Sequence, residues 1–206
     1  AIVGRIALAV GFGAKMAAYP LPATKIDALA SATPLAVAGE LDAGSYVTLL
    51  LGQHGGVLGE TCAIAILVGG IYLIVRGVIR ARVPVAFIGT VAVLTFLFPM
   101  GGNDRLTWML YELCSGGLML GAFFMATDYV TSPVTKNGEI IFGIGCGLLT
   151  VFIRYFGGYP EGVSYAILIM NCCVWLLDKV GKPARYGVTK EMRQQQKAAQ
   201  KAGKEG

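Results

Sequence analysis

Five stretches of this chain, 62–79, 83–99, 109–126, 140–156 and 159–177, are apolar with at most one charged residue in each. A helix needs about 20 mostly apolar residues to cross a bilayer, so each stretch is long enough to span one. A sixth, 2–18, is also apolar but carries Arg5 and Lys15, which must be paired or reach the interface. Charged residues make up 14% of the chain and the mean hydropathy is +0.66. Soluble domains carry about 25% charge, so a water-soluble globular reading is excluded. The 29 glycines suit helices that pack closely in lipid. The expected fold is therefore an all-α polytopic membrane protein. Residues 1–178 would form a membrane domain of about six spans, with a long loop over 21–61 and a basic tail over 179–206. The chain opens at Ala1, already inside an apolar stretch and without a cleavable leader pattern, as expected of a piece whose upstream spans are absent.

Charge orients these spans. The formal net charge is +5, and Lys179, Lys182, Arg185, Lys190, Arg193, Lys197, Lys201 and Lys204 crowd the C-terminus. Beside a membrane span such a tail marks the cytoplasmic end rather than a nucleic-acid arm, and no nucleic-acid partner is expected. With the tail inside, the turn at 157–158 lies outside, 127–139 inside and 100–108 outside. The turn at 80–82, flanked by Arg76, Arg80 and Arg82, then falls inside, where the positive-inside rule independently puts it. The loop 21–61 comes out on the outer face. The protein is expected in the cytoplasmic (inner) membrane, multi-pass, with a cytoplasmic C-terminus.

The polar segments are where chemistry could sit. Asp27, Ser31 and Thr33 lie in the outer loop before Pro34, a pattern that also serves as an ordinary turn. Gly55, Gly56 and Gly59 lead into Glu60 and Thr61 at a helix entry, where free N–H groups can meet an anion; the same residues suit a simple cap, and the P-loop pattern is absent. Thr127, Asp128 and Ser132 join two spans and could face a cofactor rim, an ion path or only the helix ends they cap. Arg154 and Glu161 flank the last outer turn and are candidates to pair there, and Glu112 is a candidate ion ligand. His54 has no partner at metal spacing, and Cys62, Cys114, Cys146, Cys172 and Cys173 show no C-x-x-C spacing and read as small packing residues. No self-contained catalytic constellation is visible.

Taken in order, five of these pieces carry a resemblance. Asp27-x-x-x-Ser31-Ala-Thr33-Pro-Leu35, Gly56-x-x-Gly59-Glu60-Thr61, Thr127-Asp128-x-Val-Thr-Ser132-Pro133, Gly158-Tyr-Pro-Glu161-Gly-Val163 and Met170-Asn171 follow an opening Ala1-Ile-Val-Gly-Arg5. The chain resembles the family of the D subunit of the Rnf ion-translocating electron-transport complex, and its relative, the B subunit of the sodium-pumping NADH:quinone oxidoreductase. The resemblance covers about residues 1–178. It implies a ten-helix, urea-transporter-like inverted-repeat fold, of which this would be the C-terminal part. It also implies FMN attached through its phosphate to Thr33, the last residue of a Ser-Gly-Ala-Thr-like motif. Here the motif reads Ala30-Ser31-Ala32-Thr33, so Ala-Ser replaces Ser-Gly while the acceptor threonine is kept.

From the resemblance follow an electron relay without a catalytic residue of its own, coupled to Na⁺ or H⁺ translocation, and a set of partners. These are other Rnf-type membrane subunits, an outer-face FMN-bearing subunit, iron–sulfur subunits and a cytoplasmic NAD-binding subunit. Some relatives also hold riboflavin, for which no residue pattern here decides. Ser31, Asp27, Glu60, Thr61, Thr127, Asp128 and Ser132 are the candidate surroundings of the flavin. Because the charge rule puts Thr127 and Ser132 inside, their contact with Thr33 would require a re-entrant path. A cofactor-free channel or transporter for a small solute is the alternative, and a passive scaffold a third reading.

Overall fold

Two glycines four residues apart lie in the most extensive helix pairing. The computed structural model describes residues 2–12, 62–100, 104–157 and 162–180, and only helices, turns and bends occur among them. In order these are α1 (Ile2–Gly11), α2 (Ala63–Val75), α3 (Arg82–Leu97), α4 (Arg105–Cys114), α5 (Leu118–Leu120) continued by a π-helical turn (Gly121–Met125), α6 (Lys136–Phe156), α7 (Val163–Cys172) and α8 (Val174–Val180). α3 and α6 make the most extensive pairing. Gly143 and Gly147 of α6 face α3 so closely that an added Cβ would lie 2.9 Å from the Val83 carbonyl oxygen and 3.0 Å from that of Phe87, respectively. This is the small-residue spacing by which helices approach in lipid. Phe87 and Val91 of α3, Phe142 and Cys146 of α6, Leu118, Ala122 and Ile167 are fully buried around this seam.

The outer face of the same helix is apolar too. Ile140, Ile144, Leu148 and Phe152 recur every four residues along α6 and are all exposed, as are Val68, Tyr72 and Val75 on α2. An apolar exterior of this extent belongs against lipid or neighbouring protein rather than water. α6, with 21 residues, is the one helix among the described residues long and apolar enough to cross a membrane by itself. At 1.5 Å per residue it is about 31 Å long.

Several boundaries differ from expectation, each for a local reason. α6 starts at Lys136, ahead of the apolar run, because the Thr135 hydroxyl accepts a hydrogen bond from the Gly138 amide at 3.1 Å and caps it. Thr135→Ala should therefore cost about 1 kcal/mol, seen as a fall of about 2–4 °C in the unfolding midpoint of the detergent-solubilised protein. α2 stops at Val75 because Gly77 takes φ 69°. The Gly77 amide then donates to the Ile74 carbonyl at 2.9 Å and the Val78 amide to that of Leu73 at 3.0 Å, closing the end in a Schellman motif. The stretch 159–177, expected as one span, divides into α7 and α8 at Cys173. The stretch 109–126, expected as one continuous span, is broken: α4 and the α5–π segment meet at 63°. Of the expected span 2–18, α1 is described; the side chain of Arg5, the loop 21–61 and the tail beyond residue 180 lie outside the described residues.

Candidate functional site

The break between α4 and α5 is built by Ser115-Gly116-Gly117. Ser115 is extended, at φ −90° and ψ 144°, and Gly116 turns to φ 66°, a conformation glycine adopts without the strain a Cβ would bring. A helix that stops inside an apolar bundle strands its last carbonyls, and here one side chain collects them. Arg154, in the last turn of α6, donates from Nη1 to the Glu112 carbonyl at 2.8 Å and from Nη2 to the Ser115 carbonyl at 3.2 Å. The same Nη1 lies 2.5 Å from Glu112 Oε2, with the Arg154 and Glu112 side chains only 2% and 5% exposed. Arg154, expected to pair with Glu161, thus meets Glu112; Glu161 lies outside the described residues. The Ser115 hydroxyl and Arg154 Nε are buried beside this pair with no hydrogen-bond partner among the described residues. Nearby, Trp108 Nε1 donates to the Tyr155 hydroxyl at 3.0 Å, which donates to the Phe98 carbonyl at 2.7 Å, tying α3, α4 and α6 together at this end.

After the break, the π turn makes the wider i to i+5 bond, with the Ala126 amide donating to the Gly121 carbonyl at 2.7 Å. Such turns are frequent at functional positions. The turn leads into the segment that carries Thr127, Asp128 and Ser132, at the opposite end of the bundle from Arg154.

A second polar cluster occupies that opposite end. Glu139, in the first turn of α6 and 4% exposed, accepts from Arg80 Nη1 at 2.5 Å and from Arg82 Nη1 at 2.9 Å. The Glu139 carboxylate holds the Arg80 guanidinium above its ordinary range, chiefly through that hydrogen bond, so Arg80 stays charged. Tyr129 donates to the Val78 carbonyl, and Asp178 of α8 accepts from the Val134 amide at 3.0 Å. At this end lies a cleft of about 150 Å³ lined in part by Arg80, Val83, Thr127, Tyr129, Ser132 and Glu139.

Of the residues expected around a flavin, Thr127 and Ser132 thus share one cleft, whereas Asp128 is exposed and accepts from the Thr131 hydroxyl at 3.3 Å. The Thr127 hydroxyl donates to the Phe123 carbonyl at 2.6 Å. Thr127 and Ser132 form part of the polar rim of that cleft, which is smaller than the pockets of about 300–1,000 Å³ that enclose a cofactor-sized molecule. Thr33, Ser31, Asp27, Glu60, Thr61 and His54 lie outside the described residues. No group of three or more metal-ligating side chains occurs among the described residues. The sequence marks Glu112 and Arg154 singly but not their pairing; the Ser115-Gly116-Gly117 run is its one local signal.

A helical bundle with an apolar exterior and a buried ion pair at a helix break has the character of a membrane-embedded protein. Comparison with known proteins is specific. The chain belongs to the NQR2, RnfD, RnfE family, whose model matches residues 1–187. It is 47% identical over 169 residues, 80% of the chain and 51% of the relative, to the D subunit of the Na⁺-translocating ferredoxin:NAD⁺ oxidoreductase complex of Acetobacterium woodii. It is 42% identical over 199 residues, 90% of the chain and 60% of the relative, to the proton-translocating counterpart of Clostridium ljungdahlii. The D subunit of the ion-translocating oxidoreductase complex of Stutzerimonas stutzeri is 44% identical over 137 residues, covering 66% of the chain and 39% of that protein. The chain therefore spans about half the length of these curated relatives.

Proposed function

We propose that the chain is the C-terminal part of the membrane-embedded D subunit of an Rnf-type complex, relaying electrons and taking part in Na⁺ or H⁺ translocation. The observation that carries this reading is the family match across residues 1–187, together with relatives whose names give ferredoxin:NAD⁺ oxidoreductase complexes that move Na⁺ or protons. The broken helix supports it against a passive scaffold, since discontinuous helices with polar groups at the break are a recurring feature of ion transporters. The relatives that translocate Na⁺ and H⁺ match about equally well, so the ion is not chosen by likeness. In this reading the ten-helix, urea-transporter-like fold is completed by sequence outside this chain. The other membrane and iron–sulfur subunits, the outer FMN-bearing subunit and the cytoplasmic NAD-binding subunit are its partners.

Thr33 would hold FMN as a phosphoester, and a flavin there supplies one- and two-electron transfer. The chain's own part is to fix that position and exclude exchange with free cofactor. The end of the bundle carrying Arg76, Arg80, Arg82, Lys136 and Lys179 then faces the cytoplasm, and the end with Trp108 and Tyr155 faces outward. Glu139, by accepting from both Arg80 and Arg82, offsets one of their two charges at that surface. The test is Thr33→Val, expressed in the full-length protein with the flavin-attaching machinery. The wild type should give a fluorescent band on a denaturing gel with the FMN mass on the Thr33 peptide. The variant should insert normally and lose all denaturation-resistant fluorescence. A variant band as bright as wild type refutes the assignment, and a dark wild-type band favours the cofactor-free channel.

A further inference from the structure

We propose that the break between α4 and α5 is a site for an unhydrated monovalent metal cation, which the Arg154 guanidinium fills in this conformation. The inference deepens the ion-translocating reading and rests on it for its meaning in turnover. The oxygens converging on Arg154 are the Glu112 carboxylate and carbonyl and the Ser115 carbonyl, at 2.5, 2.8 and 3.2 Å from its terminal nitrogens. A carboxylate and two carbonyls freed by a helix end are the ligand type that hard cations take from proteins. The α4 C-terminus adds its negative dipole end to the Glu112 charge.

Two further atoms favour a site built for more than an arginine. The Ser115 hydroxyl, on the residue whose carbonyl accepts from Arg154, is fully buried and has no partner among the described residues. Arg154 Nε is likewise buried and unpartnered among them. An idle guanidinium donor and a buried hydroxyl without a partner leave this corner of the bundle incompletely satisfied, and buried polar atoms are normally satisfied. A small cation bound by the carboxylate, the two carbonyls and the hydroxyl would use all four oxygens. Arg154 sits two residues before the end of α6 at Phe156, so its long side chain has a short route to the aqueous end when displaced. Cation and arginine would thus exchange at one carboxylate, keeping the buried charge balanced in both states.

The test needs no electron transfer, so its failure would leave the relay reading standing. The full-length protein is purified in detergent in choline chloride, and its unfolding midpoint is followed as choline is replaced by Na⁺, Li⁺ or K⁺ at constant ionic strength. Arg154→Gln removes the resident cation and leaves Glu112 buried. Its midpoint should rise with at least one metal ion by about 5–10 °C at a concentration about 100 times the dissociation constant. Choline should not replace that effect, and adding Glu112→Gln should abolish it. Arg154→Lys, which keeps the charge balance with a weaker grip on the carbonyls, decides the matter should Arg154→Gln give no folded protein; it should show the same ion dependence at smaller amplitude. Equal midpoints in choline and in all three metal salts, for whichever of these variants folds, overturn the site.

Discussion

Replacing Glu112 by leucine should be among the most damaging single changes in this chain. It strands the Arg154 guanidinium, 2% exposed, without its counter-charge. Removing one partner of a buried pair costs about 3–5 kcal/mol, because the remaining charge keeps its desolvation penalty and loses the attraction that offset it. Against a typical total of about 5–15 kcal/mol, that is a large share. The unfolding midpoint in detergent should fall by about 10 °C or more. The double change Glu112→Leu with Arg154→Met should recover most of the loss, since an apolar pair of similar volume has no charge to bury. Recovery should stop short of wild type because the Glu112 and Ser115 carbonyls lose their donors. A Glu112→Leu protein as stable as wild type would show that the pair is solvated or that Arg154 has another anion.

The second large effect is expected at the α3–α6 seam. A Cβ on Gly147 would lie 2.7 Å from Thr90 Cβ and 3.0 Å from the Phe87 carbonyl oxygen; on Gly143, 2.7 Å from Ala86 Cβ and 2.9 Å from the Val83 carbonyl oxygen. The obstructing atoms are largely backbone and Cβ, which cannot rotate away, so the helices must separate. Gly147→Leu should cost about 3 kcal/mol or more and give a protein cut rapidly by protease in detergent. Gly89→Leu, on the exposed side of α3 where an added Cβ meets nothing within 4 Å, is the control and should be tolerated. Loss of both proteins alike would mean that glycine content, not this seam, is what matters.

What could be read beforehand follows from how each feature is encoded. The apolar stretches lead to helices in the expected order because lipid-compatible composition is a local property, and α3 and α6 end within two residues of expectation. The first turn of α6 is missed because Lys136, Asn137 and Glu139 are polar; Glu139 is buried only because Arg80 and Arg82, 59 and 57 positions away, reach it. The break at Ser115-Gly116-Gly117 escapes a hydropathy count, which scores small residues as apolar and is blind to the φ 66° of Gly116. The Glu112–Arg154 pair spans 42 residues and could be suspected only as two isolated charges. For the candidate site, Thr127 and Ser132 do share a cleft, yet its grouping with Arg80 and Glu139 joins residues that lie up to 59 positions apart in the chain.

α6 carries its acid near the N-terminal end and its base near the C-terminal end, so both charges match the helix dipole and both are gripped by other elements. With its middle locked onto α3 through Gly143 and Gly147, it is a strut pinned at three points along its axis. Sliding α6 along α3 would have to break the Gly143 and Gly147 contacts and the Arg82–Glu139 pair, and would pull on α4 through Arg154. The half of the broken helix before the glycine elbow is tied to the same strut through Arg154 and the Trp108–Tyr155 bond, so any swing at Gly116 must first release the grip of Arg154 on Glu112 and Ser115.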